Sequence, residues 1–310
     1  MSNSAVQIVV VGSYNRDLAL RVDQFPAPGE TRLSLGRAES PGGKGSNQAI
    51  QAARCGAPTA IIAALGQDPA GDEALSLWSN LQIDSRGVVR LSEAATGMAM
   101  ILVDQRAENL IIVDSGANGQ LSDRHILAAK SMIEGARLIV AQLETPMAAT
   151  RTAFDLARRA GVTTLLNAAP ANAALDHQLL ALTDILCVNQ SEGEALSGQS
   201  LPEAIGTSLL ALGLAMVILT LGVDGAMLFQ RGQPHLRAHP PTVSAIDTTG
   251  AGDAFIGAFA AQWLLNQTPS AALDFALAAG ALACTRQGAA ASFGDREEIE
   301  RLAASCLARP

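Results

Sequence analysis

The chain has 310 residues, 49% of them hydrophobic and 16% charged, which is enough for one large α/β domain with an ample core or for two modest ones. Its 21 Lys and Arg stand against 29 Asp and Glu, a formal charge of −8, and this argues against a nucleic-acid or anionic-membrane partner. Any phosphate must then be held by local backbone N–H groups, a few basic side chains and metal ions.

Met1–Ala5 reads as no secretory leader, and the longest apolar stretch, Leu209–Leu221, is too short to span a bilayer. The four cysteines, Cys55, Cys187, Cys284 and Cys306, are scattered without metal-type spacing. A cytoplasmic enzyme is expected. Gln7–Val11, continuously apolar and β-branched from Ile8 on, reads as a buried parallel strand. Behind it Asn15 and Asp17 alternate, which aims two polar side chains to one side, suited to vicinal hydroxyls; an Asx turn is the plainer alternative. Leu18–Asp23 and Thr31–Leu35 read as short strands joined by a Pro/Gly turn. Next comes Pro41-Gly-Gly43-Lys44-Gly-Ser-Asn47, whose glycines allow close backbone approach. Asn47 faces the same cavity from the start of a helix over Ser46–Cys55.

A strand over Thr59–Leu65 and a helix over Pro69–Leu81 follow. Gly97–Val103 and Asn109–Val113 read as a hairpin around Asp104-Gln105-Arg106, and with the earlier short strands it makes a small sheet standing off the main one. Apolar runs recur at Leu138–Leu143, Thr163–Leu166, Ile185–Val188 and Met216–Leu221, with helical patterns at Met147–Ala160 and Pro202–Leu212. This alternation predicts a parallel sheet covered on both faces. Glu144 sits at one strand end. Asn189-x-x-Glu192 puts both side chains near one face of a first helical turn, where a carboxylate can hold hydrated Mg²⁺ beside phosphates; taken alone, an ordinary acidic helix start explains it far better. Thr220-Leu-Gly222-Val-Asp-Gly225 is a turn that could bed a nucleotide. The chain closes on helices over Ala251–Leu265, Ser270–Arg286 and Arg296–Leu307.

The most telling stretch is Asp247-Thr248-Thr249-Gly250-Ala251-Gly252-Asp253. Glycines and a helix N-terminus make an anion site, yet Asp253 would repel a phosphate. The conflict resolves if Asp253 takes a proton from a hydroxyl while the N–H groups hold a phosphoryl group in transfer. The standard nucleotide loops are absent: Lys44 is followed by Gly, and Phe255 stands where the dinucleotide fingerprint needs Gly. No Gly-x-Ser-x-Gly occurs, and the histidines lack partners at metal or triad spacing.

Taken in order, the elements resemble the ribokinase branch of the PfkB sugar-kinase family. The motifs that carry the resemblance are Gly12-x-x-Asn15-x-Asp17, Phe25-Pro-x-Pro-Gly-Glu-Thr31, Gly42-Gly-Lys-Gly-x-Asn-Gln-Ala49, Gly66-x-Asp68-x-x-Gly71, Gln142-Leu-Glu144, Asn189-x-x-Glu192, Thr220-Leu-Gly222-x-x-Gly225 and Asp247-Thr-x-Gly-Ala-Gly-Asp253. The resemblance implies a ribokinase-like three-layer α/β sandwich over residues 1–310. Its central sheet is mainly parallel, and a β-lid comes from about 16–40 and 96–114. The implied reaction is ATP-dependent phosphorylation of a sugar's primary hydroxyl, with D-ribose the leading substrate and 2-deoxyribose, a ketohexose or another small polyol as rivals.

By the same resemblance Asp253 is the general base, and the N–H groups of Gly250, Ala251, Gly252 and Asp253 form the anion hole. Asn15, Asp17, Gly43, Lys44, Asn47 and Glu144 bind the sugar. Asn189, Thr220, Gly222, Gly225 and Gly252 line the ATP site, and Glu192 supports Mg²⁺ through water. A monovalent cation, K⁺ by preference, takes oxygens from Asp247, Thr249, Ala283, Arg286, Gly288 and Ser292. Leu277 stands where relatives often carry a polar residue near the adenine. The lid implies a homodimer, since Leu18, Leu20 and Val22 alternate with Ala19 and Arg21 and one lid face asks for cover. A non-catalytic sugar or nucleotide sensor on the same fold is the reading from another class, and retention of Asp253 argues against it.

Overall fold

Continuous β-branched runs are stable where both faces of a strand are covered, and the chain supplies that cover. The computed structural model describes residues 6–106, 108–170, 175–266 and 268–307. In chain order the strands are β1 (Ile8–Val11), β2 (Asn15–Arg21), β3 (Gly36–Gly42), β4 (Thr59–Ile62), β5 (Ala64–Gly66), β6 (Val89–Leu91), β7 (Gly97–Val103), β8 (Asn109–Asp114), β9 (Leu138–Ala141), β10 (Thr163–Asn167), β11 (Ile185–Asn189), β12 (Met216–Thr220), β13 (Ala226–Gln230) and β14 (Leu236–Ala238). The helices are α1 (Lys44–Arg54), α2 (Pro69–Asn80), α3 (Asp123–Ala128), α4 (Lys130–Glu134), α5 (Met147–Arg159), α6 (His177–Ala181), α7 (Gln190–Ser197), α8 (Pro202–Leu210), α9 (Ala251–Asn266), α10 (Pro269–Ala283) and α11 (Arg296–Leu307).

An eight-stranded sheet runs β14-β13-β12-β11-β10-β9-β1-β4. Pairing is parallel from β4 through β12 and antiparallel at β13 and β14. Successive residues of a strand serve opposite faces. Ile8 and Val10 pack with Ile50 of α1, Phe255 and Phe259 of α9 and Leu273 of α10. Val9 and Val11 pack on the other side with Ile126 of α3, Phe154 of α5 and Leu209 of α8. The result is three layers, helices on each side of a mainly parallel sheet. No helix among the described residues is long and apolar enough to cross a membrane.

A second sheet, ordered β3-β2-β7-β8, stands apart. β2 pairs parallel to β7, with Asn15 opposite Gly97, and antiparallel to β3. Three details differ from the sequence reading. The partner of β2 is Gly36–Gly42, whereas Thr31–Leu35 lies in no strand. The Gly, Ser and Pro content of β3 hid it; Pro41 fits because β3 is an edge strand and needs no donor on its open side. Asn15 and Asp17 sit on β2 itself instead of in a turn before it. The run over Thr59–Leu65 breaks after Ile62, because β5 leaves the main sheet to pair with β6. Asp68, the N-cap of α2, accepts from Gly71 N at 2.9 Å and from Thr96 N and Oγ1 at 2.7 Å each. It thereby ties α2 to the entry of β7, which gives the Gly66-x-Asp68-x-x-Gly71 motif a structural role.

Candidate active site

Side chains with chemistry gather at the carboxyl ends of the parallel strands, where open α/β sheets bind ligands. The chain leaves β1 through Gly12 and Ser13 and meets the start of α1. Gly43 caps α1 at φ 86°, and a Cβ there would lie 2.7 Å from Tyr14 Cα and 2.8 Å from Asn15 N. Only glycine satisfies both the dihedral and the space. Gly43 offers no capping side chain, and Glu144, beyond the end of β9, does that work instead. Its Oε2 accepts from Lys44 N at 2.9 Å and from Ser13 Oγ at 2.5 Å. The carboxylate is thus fixed on a helix N-terminus, where it is electrostatically favoured.

Asn15 is buried at the root of the second sheet. Asn118 holds it: Asn118 Nδ2 donates to Asn15 Oδ1 at 2.8 Å and to Tyr14 O at 2.9 Å, while Asn118 Oδ1 accepts from Tyr14 N at 3.0 Å. Asp17, two residues on, projects to the same side over Gly42, where a Cβ would come within 2.2 Å of its Oδ2. Burial, then the nearby carboxylates of Glu144 and Asp253, push the Asp17 pKa up to about 7.

Asp253 lies in the first turn of α9, 7% exposed. Its Oδ2 accepts from Asn47 Nδ2 at 2.9 Å and its Oδ1 from Gln48 Nε2 at 3.0 Å. Burial raises its pKa, opposed by the Lys44 charge and by those two amide donors. Beside it the opening of α9 presents backbone N–H groups. The Ala251 N–H turns back on Thr248 O at 3.2 Å, whereas Gly252 and Asp253 occupy the turn whose N–H groups lack intrahelical acceptors. A Cβ on Gly252 would meet nothing within 4 Å, so the space before this helix end is open. Gly250 at φ 76° is needed for the turn, since its Cβ would lie 2.9 Å from Ala289 Cα.

Across the cleft, Asn189 and Thr220 are the last residues of β11 and β12 and stand in register. Asn189 and Glu192 form a capping box on α7: Asn189 Oδ1 accepts from Glu192 N at 2.8 Å and Glu192 Oε2 from Asn189 N at 2.9 Å. The plainer reading of this pair therefore holds locally, with Glu192 Oε1 left over. Burial raises the Glu192 pKa, opposed by the Asn189 N–H and the Lys44 charge, and the same Lys44 charge also acts on Asp253. Thr220 Oγ1 donates to Val188 O at 3.4 Å. Gly222 has φ 59° with open space at its Cβ, whereas Gly225 is required by packing, its Cβ falling 2.0 Å from Ala238 O.

Asp247 has partners separate from those of Asp253. Its Oδ1 accepts from Thr249 N at 2.9 Å and its Oδ2 from Gly288 N at 2.8 Å. Burial works against the ionised form, but these donors prevail and hold its pKa below the ordinary value. The carboxylate thus joins the loop before α9 to the segment after α10. There Arg286 pairs with Glu298 at 2.6 Å, the Arg286 N–H donates to Ala283 O at 3.2 Å, and buried Ser292 donates to Ala289 O at 2.8 Å.

Sequence reasoning assigned no role to Ser13, Gln48, Asn118, Gln142 or Asn167. Gln48 and Gln142 lie inside motifs, next to Asn47 and two before Glu144, and that adjacency was the available signal. Asn118 gives no local signal, because its partners are more than a hundred residues away.

The family model for pfkB family carbohydrate kinases matches residues 6–296. The ribokinase of Staphylococcus aureus is 39% identical over 306 residues, covering 96% of this chain and 99% of the relative. The ribokinase of Mus musculus is 40% identical over 263 residues, covering 83% and 81%. The structure of Arabidopsis thaliana ribokinase complexed with ribose and ATP superposes with a TM-score of 0.89 at 29% identity, covering 96% of this chain and 99% of that one.

Proposed function

The chain belongs to the pfkB family of carbohydrate kinases, and from that membership we propose that it is a ribose kinase, transferring the γ-phosphoryl group of ATP to the primary hydroxyl of D-ribose. The observation that carries this reading is one buried carboxylate, Asp253, at an open helix N-terminus and within electrostatic reach of Asp17 and Glu144. Phosphoryl transfer asks mainly for positioning and charge stabilisation. Asp253 takes the proton of the sugar hydroxyl as its oxygen bonds to the γ-phosphorus and the bond to ADP breaks. N–H groups at the start of α9, those of Gly250, Gly252 and Asp253, receive the charge of the phosphoryl oxygens, and the N–H of Ala251 joins them only by leaving Thr248 O. Asn47 suits a sugar contact: its Nδ2 is engaged with Asp253, while its Oδ1 is buried without a partner. With Asn15, Asp17, Gly43, Lys44 and Glu144 it forms the sugar side of the cleft.

On the nucleotide side the reading uses Asn189, Thr220, Gly222, Gly225 and Gly252. Among the described residues no three His, Cys, Asp or Glu side chains cluster as a metal site. Glu192, whose Oε2 alone is engaged in the capping box, would support a Mg²⁺ through water. Mg²⁺ bound there would offset phosphate charge. The oxygens of Asp247, Thr249, Ala283, Arg286, Gly288 and Ser292 make a hard donor set that suits K⁺. The edge strand β8 exposes Leu110, Ile111, Ile112 and Val113 at 51–69%, which supports pairing of two copies through the second sheet. A cytoplasmic location completes the proposal.

A panel of D-ribose, 2-deoxyribose and ketohexoses with ATP and Mg²⁺, read by ADP release, tests the substrate, and no turnover with ribose overturns it. Asp253→Asn is expected to lower kcat by about two to four orders of magnitude while ribose still binds. Near-normal turnover of that variant removes the base assignment.

A further inference from the structure

Beneath Asp253 lies a chain of buried amides that the reaction as described does not use. Gln48 is 1% exposed, Gln142 1% and Asn167 9%. Gln142 Nε2 donates to Gln48 Oε1 at 2.6 Å, and Gln48 Nε2 donates both to Asp253 Oδ1 and to Asn167 Oδ1, at 3.0 Å each. Asn167 Nδ2 passes the order on to Cys187 O at 3.3 Å. The direction of the chain is determined. Turning the Gln48 amide over would set its oxygen against the Asp253 carboxylate and the Asn167 side-chain oxygen, two acceptors, and its nitrogen against the Gln142 Nε2 donor.

The backbone brings these groups together by close helix crossing. Gly257 is one turn beyond Asp253 on the same face of α9, and a Cβ there would lie 2.5 Å from Gln48 O and 2.7 Å from Gln51 Cβ. A side chain at 257 would part α9 from α1 and draw Asp253 away from Gln48.

We infer that Gln48 is a positioning residue for the phosphoryl-transfer reaction: clamped by Gln142, it holds Oδ1 of Asp253 from below, so that the carboxylate presents its remaining lone pairs to the sugar hydroxyl. This rests on the reading of Asp253 as the base. A long, flexible glutamine would otherwise sample several rotamers, and the Gln142 bond restricts it to one. A buried carboxylate stripped of this donor would favour its protonated form, and a protonated Asp253 cannot accept the hydroxyl proton. The charged groups facing Asp253 are Lys44 on α1, Glu144 after β9 and Asp17 on β2; Lys44 favours the ionised form and the two acids oppose it.

The test compares Gln48→Met with Gln142→Met, which leaves Gln48 in place but unclamped, and with Asp253→Asn. Each is assayed for kcat and sugar KM across pH 5–9, with thermal unfolding as a check on folding. Gln48→Met is expected to lose about ten- to a hundredfold in kcat at neutral pH with little change in sugar KM. The acid limb of its pH profile should move up by about one to two pH units. Gln142→Met should move the same limb by less. If Gln48→Met folds and keeps both kcat and the acid limb of the parent, the inference is wrong. If Gln48→Met does not fold, an unmoved acid limb in Gln142→Met overturns it and a raised one supports it. The premise fails separately, through an active Asp253→Asn.

Discussion

Asp17 offers the sharpest check on how the cleft is balanced without sugar. Its carboxyl is pushed from an ordinary 3.8 to about 7 by burial and by the charges of Glu144 and Asp253. An acid whose folded pKa exceeds its unfolded one contributes stability below the unfolded value and loses it as pH rises through the folded value. The native state therefore carries a growing penalty from about pH 4 to about pH 7, constant above that. At 1.36 kcal/mol per pH unit the full shift corresponds to about 4 kcal/mol, and water in the cleft lowers this toward about 2 kcal/mol. Asp17→Asn keeps the shape and removes the charge, so it should stabilise the free protein by about 2–4 kcal/mol at pH 8 and by about nothing at pH 4. For a domain of this size that is a rise in Tm of about 3–6 °C at pH 8. The assay is thermal unfolding of both proteins over pH 4–9 without sugar. Equal Tm differences at pH 4.5 and pH 8 would refute the reasoning. The same balance predicts that ribose, whose hydroxyls donate to the ionised form, binds with proton release near pH 6.5. Calorimetry in buffers of different ionisation enthalpy reads that directly, and Asp17→Asn should abolish the release with the binding.

Two glycines separate what the fold needs from what the reaction needs. Gly252→Ala places a methyl where nothing lies within 4 Å, so stability should hold or rise by up to about 1 kcal/mol. Activity should fall by about 10- to 100-fold, because the methyl intrudes on the space before the N–H groups; unchanged kcat would separate that helix end from the chemistry. Gly43→Ala should instead destabilise the fold itself. With φ 86° and a Cβ 2.7 Å from Tyr14 Cα, it should cost roughly 2–4 kcal/mol, read as a Tm fall of about 3–6 °C. A Tm within one degree of the parent would contradict the close approach.

The sequence by itself determined a mainly parallel sheet covered on both faces and which polar residues stand at the strand ends. Gln7–Val11, Leu138–Leu143 and Met216–Leu221 could be read because continuous apolar runs between helical patterns have one stable use, a buried parallel strand. Asp253 stood out because a carboxylate in an anion-binding turn is a local contradiction. β3 could not be read, since an edge strand of Gly, Ser and Pro has neither alternation nor β-branching and is held by its register against β2. The antiparallel β13 and β14 gave no pattern distinct from a turn and its exit. What only the tertiary structure decided was partnership. Glu144 caps a helix that begins 100 residues earlier, Asn118 fixes Asn15 from 103 residues away, and Gln48 meets Asp253 across 205. Such contacts depend on how closely two helices cross and where a strand ends in space. A hydrogen bond leaves no periodic trace in the chain, so its partners become visible only when the backbone brings them within 3 Å.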